Sequence, residues 1–236
     1  MVLVMASTES SNIEMINVKM LEMDDLEWIF YIMQGIPVTI GYALLSTIFG
    51  VFFGLLLALL NNSNVRLFRY FVAIYISIIR GTPLLLQISI VYFALPSLPG
   101  IEITAFEAGI LALSINASAY LAEIFRAGIN SVDEGQLEAA KSLSVPYHMT
   151  MIDIILPQAF RNTLPAIVNE IINLVKDSSL IAIIGVADLM RRAQIIAAEQ
   201  YSYFAPLLVA GACYYVIIAI LSLLARRLEE YTDAEN

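Results

Sequence analysis

The residues best able to do chemistry are polar side chains set inside apolar runs. Asn116, Tyr120 and Glu123 fall at i, i+4 and i+7, so a helix would carry them on one face. Asn169, Asn173 and Lys176 repeat that spacing, with Glu170 and Asp177 on the adjacent strip. One face offers a carboxylate and the other an ammonium, and together they could receive a small zwitterion. Internal pairing is the alternative: Glu123 with Lys176, or Glu170 with Arg80, holding helices together. Ionisable groups at bilayer depth cost about 2.5–3.5 kcal/mol each and so face an interior or a water-filled cavity. Between the two faces lies a stretch of another kind, EGQLEAAKSLSVPYHMTMIDIILPQ at 134–158, polar and charged.

The elements that must position these residues follow from composition. The chain of 236 residues is 60% hydrophobic and 14% charged, with a mean hydropathy of +0.81. A soluble domain is closer to half apolar, so the class is an all-α integral membrane protein. A helix needs about 20 apolar residues to cross the hydrocarbon core. Five runs qualify: 28–65 with its helical part at 36–60, then 71–95, 104–126, 163–187 and 201–225. Gly50 and Gly54 in the first form a GxxxG, which permits close helix approach. In the second, Arg80-Gly81-Thr82-Pro83 predicts a structural or gating kink near the middle, with Thr82 able to satisfy freed backbone groups.

Five spans put the two ends on opposite sides, and the positive-inside rule selects the direction. With the amino terminus outside, the cytoplasmic segments carry Arg66, Arg69, Arg126, Lys141, Arg161, Arg226 and Arg227, against Lys19, Arg191 and Arg192 outside. Three regions follow. Residues 1–27 form an external acidic segment, with Glu9, Glu14, Glu22, Asp24, Asp25 and Glu27. Residues 28–227 form the transmembrane domain, with a cytoplasmic segment at 127–160, and 228–236 form a cytoplasmic acidic tail. Trp28 and Tyr31 read as anchors at the outer interface. No basic region followed by an apolar stretch precedes them, so no cleavable leader is expected.

Several function classes lose support. The net charge of −9 argues against nucleic acid. A single cysteine, Cys213, and a single histidine, His148, make neither a disulfide framework nor a metal cluster nor a triad. Cys213 reads as a packing residue and His148 as exposed beside the cytoplasmic helix. No GxxxxGK[ST] occurs, so the chain has no phosphate loop.

In the cytoplasmic segment, Asp133 can cap a short helix that starts at Glu134, and Glu134 and Glu138 suit its positive end. Leu137, Ala140 and Ser144 give a narrow face, and Ala139 and Ala140 keep the helix slim. Pro146 ends it, because the residue before a proline is pushed out of helical geometry. The element is either a docking helix or a plain connector.

The spacing here resembles that of the permease subunits of ATP-binding-cassette importers. Their signature reads EAA, three residues, Gly, nine residues, Ile, one residue, Leu-Pro. This chain has Glu138-Ala139-Ala140, then Ser144, then Ile154-Ile155-Leu156-Pro157, with Ser in place of Gly. RGTPLLLQ at 80–87, NASAYLAEIFRAGI at 116–129 and NEIINLVKDSSL at 169–180 are similar to the polar amino acid (histidine, glutamine, arginine) branch. The resemblance implies a transport subunit, not an enzyme, in the cell inner (cytoplasmic) membrane. Its coupling helix, between the third and fourth spans, would dock into an ATPase through Glu134, Glu138, Ala139, Ala140 and Ser144. ATP and Mg would sit on that partner, and this chain would bind no cofactor. A second permease subunit, an extracytoplasmic amino-acid-binding protein and membrane lipid complete the implied partners. Asn116, Ser118, Tyr120, Glu123 and Lys176 become candidate substrate-binding residues, and Arg80, Gly81 and Pro83 candidate structural or gating ones. An ion-coupled secondary amino acid transporter is the alternative function; it would leave the EAA segment unexplained.

Overall fold

The computed structural model describes residues 26–63 and 65–234, which are helices and connecting turns with no strand among them. Residues 1–25, which hold nearly all of the expected external acidic segment, and 235–236 lie outside the described residues.

Helix α1 (Glu27–Met33) turns at Gln34-Gly35 into α2 (Ile36–Asn61), which Pro37 opens in its first turn. The inward stripe of α2 is small and polar: Thr39, Ala43, Ser46, Gly50, Gly54 and Ala58 are buried. Phe52, Leu56 and Leu59 point outward, where lipid would cover them. This stripe lies against α5 (Ala105–Asn130), whose start is fixed by a reciprocal cap. The Glu107 amide donates to Thr104 Oγ1 at 3.2 Å, and the Thr104 amide donates to Glu107 Oε2 at 2.8 Å. A Cβ on Gly50 would stand 2.7 Å from Ala117 Cβ, and one on Gly54 2.9 Å from Leu121 Cβ and 3.1 Å from Ser118 O. Two helices this close leave no room for a larger residue at either position.

The run expected as a second span contains a corner. Helix α3 (Arg66–Gly81) and α4 (Leu84–Ser89), which continues to Ser97, meet at 101°. Thr82 and Pro83 are both extended, with ψ of 146° and 134°. The proline ring forbids helical geometry at Thr82, and Pro83 has no N–H to continue the ladder. Counting this bent pair as one, four segments among the described residues are long and apolar enough to cross a membrane: 27–61, 66–97, 105–130 and 204–227.

The expected fourth span, 163–187, is placed differently. After α6 (Glu134–Ser142), helix α7 (Leu156–Asp177) starts earlier and ends earlier than that run, and a 3₁₀ stretch (Ser178–Ile184) follows. The change falls at Asp177-Ser178-Ser179, where Ser178 Oγ donates to the Val175 carbonyl at 2.8 Å. Short polar side chains compete for backbone groups and weaken helical propagation there. Arg161, Glu170, Lys176 and Asp177 lower the apolarity of α7, yet it packs against α5, α2 and α9.

An unexpected helix, α8 (Leu189–Glu199), follows, and α9 (Phe204–Ala234) carries the last span on through most of the acidic tail. Asp188, fully buried, caps α8: its Oδ1 accepts from the Arg191 amide at 2.8 Å and its Oδ2 from Tyr214 Oη at 3.2 Å. Desolvation pushes its carboxyl up to about 6. Arg192 donates to the Tyr31 carbonyl and to Gln34 Oε1 and lies 4.7 Å over the Tyr31 ring. It therefore ties α8 to the α1–α2 corner.

Candidate functional site

Helix α6 ends in a Schellman turn: the Val145 amide donates to the Ala140 carbonyl at 2.9 Å and the Ser144 amide to that of Lys141 at 3.0 Å. That turn puts Ser144 in the left-handed region, with φ of 55°. Its start is capped by Asp133, whose Oδ1 accepts from the Gly135 amide at 2.7 Å. Ala140 is only 1% exposed and turns toward its own chain, whereas Glu134, Glu138, Ala139 and Ser144 stand in the open. The outward face is therefore Glu138-Ala139 with Leu143, which is 78% exposed. Of the narrow face foreseen in the sequence, Ala140 is buried, Leu137 half-buried and Ser144 exposed. A cleft of about 470 Å³ lies alongside, lined in part by Asp133, Asp153, Arg161 and Asn162.

The strain at Ser144 has a measurable consequence. A non-glycine residue in that region costs about 1–2 kcal/mol, and glycine loses about 0.5–1 kcal/mol in added unfolded-chain freedom. Ser144→Gly should therefore stabilise the chain by up to about 1 kcal/mol, read as a higher unfolding midpoint of the detergent-purified protein. An unchanged or lower midpoint would refute the strained turn.

Within the bundle, Glu123 pairs with cations of its own helix and of α3, and not with Lys176. Arg126 grips it through two bonds, Nε at 3.0 Å and Nη2 at 2.7 Å, and Arg80 Nη1 lies 3.7 Å from its Oε2. The Arg80 guanidinium also stands 5.1 Å over the Tyr120 ring. Glu170 is buried, has Asn173 Nδ2 at 3.5 Å, and makes no ion pair with Arg80 or Lys176 among the described residues. Asn169, Asn173 and Lys176 are exposed. Arg80 and Glu123 keep 42% and 26% of their side-chain surface. Arg80 of α3 thus pairs with Glu123 of α5, whereas Lys176 of α7 stands exposed.

Two candidates lie deeper. Ser118 is buried, donates to the Ile115 carbonyl at 2.8 Å and lies 2.7 Å from Tyr75 Oη, so it joins α5 to α3. Asn116 is buried too, and its Nδ2 donates to Gln87 Oε1 at 3.1 Å. Gln87 is the residue that the sequence reading passed over. Its Nε2 donates to the carbonyls of Ile79 (2.8 Å) and Thr82 (3.2 Å) and to Thr82 Oγ1 (3.0 Å), satisfying the acceptors freed at the corner. Thr82 Oγ1 in turn donates to the Ile78 carbonyl at 2.9 Å. The available signal was a lone amide in LLLQISIVYF, an otherwise apolar stretch apart from one serine.

Comparison with known proteins places this geometry among related chains. The family described as binding-protein-dependent transport system inner membrane component matches residues 50–232. The putative glutamine transport system permease protein GlnP of Rickettsia conorii is 48% identical over 202 residues, covering 86% of this chain and 93% of that protein. The arginine transport system permease protein ArtQ of Bacillus subtilis is 47% identical over 199 residues, covering 84% of this chain and 91% of that one. The crystal structure of an amino acid ABC transporter with histidines has a chain 41% identical, with a TM-score of 0.84 over 89% of this chain and 99% of its own. An inward-facing MetNI methionine ABC transporter, 19% identical with a TM-score of 0.73 over 89% and 99%, shares the fold.

Proposed function

Because this chain belongs to the family of binding-protein-dependent transport system inner membrane components, we propose that it is the transmembrane subunit of an ATP-driven importer for a polar amino acid. The observation that carries the reading is α6: a capped helix with Glu138 and Ala139 exposed, set between α5 and α7. It is shaped to dock on another protein. The names of the glutamine, arginine and histidine-bound relatives support an amino acid as cargo.

In this reading the protein lies in the cytoplasmic membrane with five spans, α7 being the fourth, and its amino terminus outside. Glu134, Glu138, Ala139 and Ser144 meet the cytoplasmic ATPase, with Ala140 backing them from within. That subunit binds ATP and Mg and performs the hydrolysis. A second permease subunit, identical or related, closes the exposed side onto which Arg80, Glu123 and Lys176 open. An extracytoplasmic binding protein delivers the amino acid to the outer mouth. Hydrolysis then switches the cavity between outward and inward access. Asn116, Tyr120, Glu123 and Lys176 line it, and Ser118 fixes the wall from behind. The cargo carboxylate is placed toward Lys176 and Arg80, and its ammonium toward Asn116 and Tyr120. The corner at Gly81–Pro83 lets α3 carry Arg80 into the cavity while α4 turns aside.

Uptake into proteoliposomes holding the whole complex tests this directly. Import of radiolabelled glutamine, arginine or histidine should require ATP on the ATPase side and should survive ionophores that collapse proton and sodium gradients. Uptake that persists without ATP and vanishes with the gradients would instead establish the ion-coupled alternative.

A further inference from the structure

We infer that Gln87 is a positioning residue for substrate recognition: it sets which end of the Asn116 amide faces the cavity. The inference rests on the reading above, in which Asn116 meets the amino acid.

An amide has one end that only donates and one that only accepts. Around one end of Gln87 lie two backbone carbonyls, of Ile79 and Thr82, and the Thr82 hydroxyl. That hydroxyl has already given its proton to the Ile78 carbonyl, so it too can only accept. Three acceptors demand the NH₂ end of Gln87, and its carbonyl must therefore point the other way, toward Asn116. Asn116 answers with its own NH₂ group, at 3.1 Å. Its Oδ1 is the end left over. That atom receives no hydrogen bond among the described residues. It is not sealed away either, since the fully enclosed unpaired side-chain atoms there are the hydroxyls of Ser46, Ser63 and Ser114.

The corner at Thr82-Pro83 thus dictates, through two amides in series, that the site shows an acceptor at Asn116. An acceptor suits the ammonium of an amino acid; a reversed amide would present N–H groups to it and repel it. Both amides are buried, at 8% and 6% exposure, so water competes little with this choice. A backbone break and a recognition group on different helices are joined by the one side chain.

The test measures uptake KM in the assembled complex for whichever of glutamine, arginine and histidine the wild type transports best. Gln87→Met keeps length but frees Asn116 to turn, and should raise KM about tenfold. Adding Asn116→Asp to it should return KM to within about threefold of wild type, because a carboxylate accepts at both oxygens and has no orientation to lose. Gln87→Glu retains an acceptor for Asn116 and should keep a near-normal KM even where loss of the donors at the corner lowers the yield; it stands in if Gln87→Met fails to assemble. An unchanged KM in Gln87→Met, a KM not rescued by Asn116→Asp, or a Gln87→Glu variant whose KM rises as far as that of Gln87→Met would reduce Gln87 to a brace for the corner. Asn116→Ala separates the two levels of the argument. If it raises KM while Gln87→Met does not, only the orienting role falls; if Asn116→Ala itself leaves KM unchanged, the placement of substrate at Asn116 falls with it.

Discussion

Ala139→Asp is expected to abolish substrate-stimulated ATP hydrolysis by the assembled importer while the chain still inserts in normal amounts. Ala139 stands exposed on α6 beside Glu138, so the isolated chain has nothing to lose from a charge there. In a protein cleft the new carboxylate would be stripped of water with no cation supplied to meet it. An unpaired buried charge of this kind costs several kcal/mol, enough to weaken docking by about two to three orders of magnitude at 3–4 kcal/mol. The structure supplies a contrast one residue along. Ala140 is enclosed by its own chain, so Ala140→Asp should lower the amount of folded protein before any coupling is measured. ATPase assays with and without amino acid, on complexes normalised for content, check both. Undiminished stimulation in Ala139→Asp would remove α6 from the ATPase interface.

Lys176→Met should raise the uptake KM by about 10- to 100-fold, the equivalent of one charge-assisted hydrogen bond to a carboxylate. Lys176 is exposed and makes no ion pair among the described residues, unlike Glu123, which Arg126 and Arg80 already hold. Its ammonium is therefore the cation in this face most able to change partners at small cost. Methionine keeps the length of the chain and removes only the charge, and Lys176→Arg should retain most of the function because the charge returns. Wild-type kinetics in Lys176→Met would move the carboxylate subsite elsewhere, with Arg80 the next candidate.

Much of this was legible before any coordinates. Hydropathy marks four of the segments because lipid-facing surface must be apolar at every outward position, as Phe52, Leu56 and Leu59 illustrate. Helix α6 could be read nearly to the residue. Its signals are local, a capping aspartate at one end and Pro146 at the other, and local signals do not depend on the rest of the fold. Helix α7 was harder. Leu156–Asp177 carries four charges, Arg161, Glu170, Lys176 and Asp177, so its sequence lacks the apolarity that identifies the others. Helix α8 went unseen; what holds it in place, Asp188 with Tyr214 and Arg192 with Tyr31, comes from other elements of the chain.

The sequence by itself determined the class, the short helix α6, the break at Thr82-Pro83 and which residue types carry charge into the bundle. Only the tertiary structure decided how those charges pair. Helical spacing puts Glu123 and Lys176 on suitable faces but says nothing of how α3, α5 and α7 are turned toward one another. That turn, fixed by the close approach of Gly50 and Gly54 to α5 and by the 101° corner, brings Arg80 to Glu123 and Gln87 to Asn116 and leaves Lys176 open. The physical reason is range: propensity, capping and hydropathy act within a few residues along the chain, whereas an ion pair or an amide relay needs two backbones held in register through space.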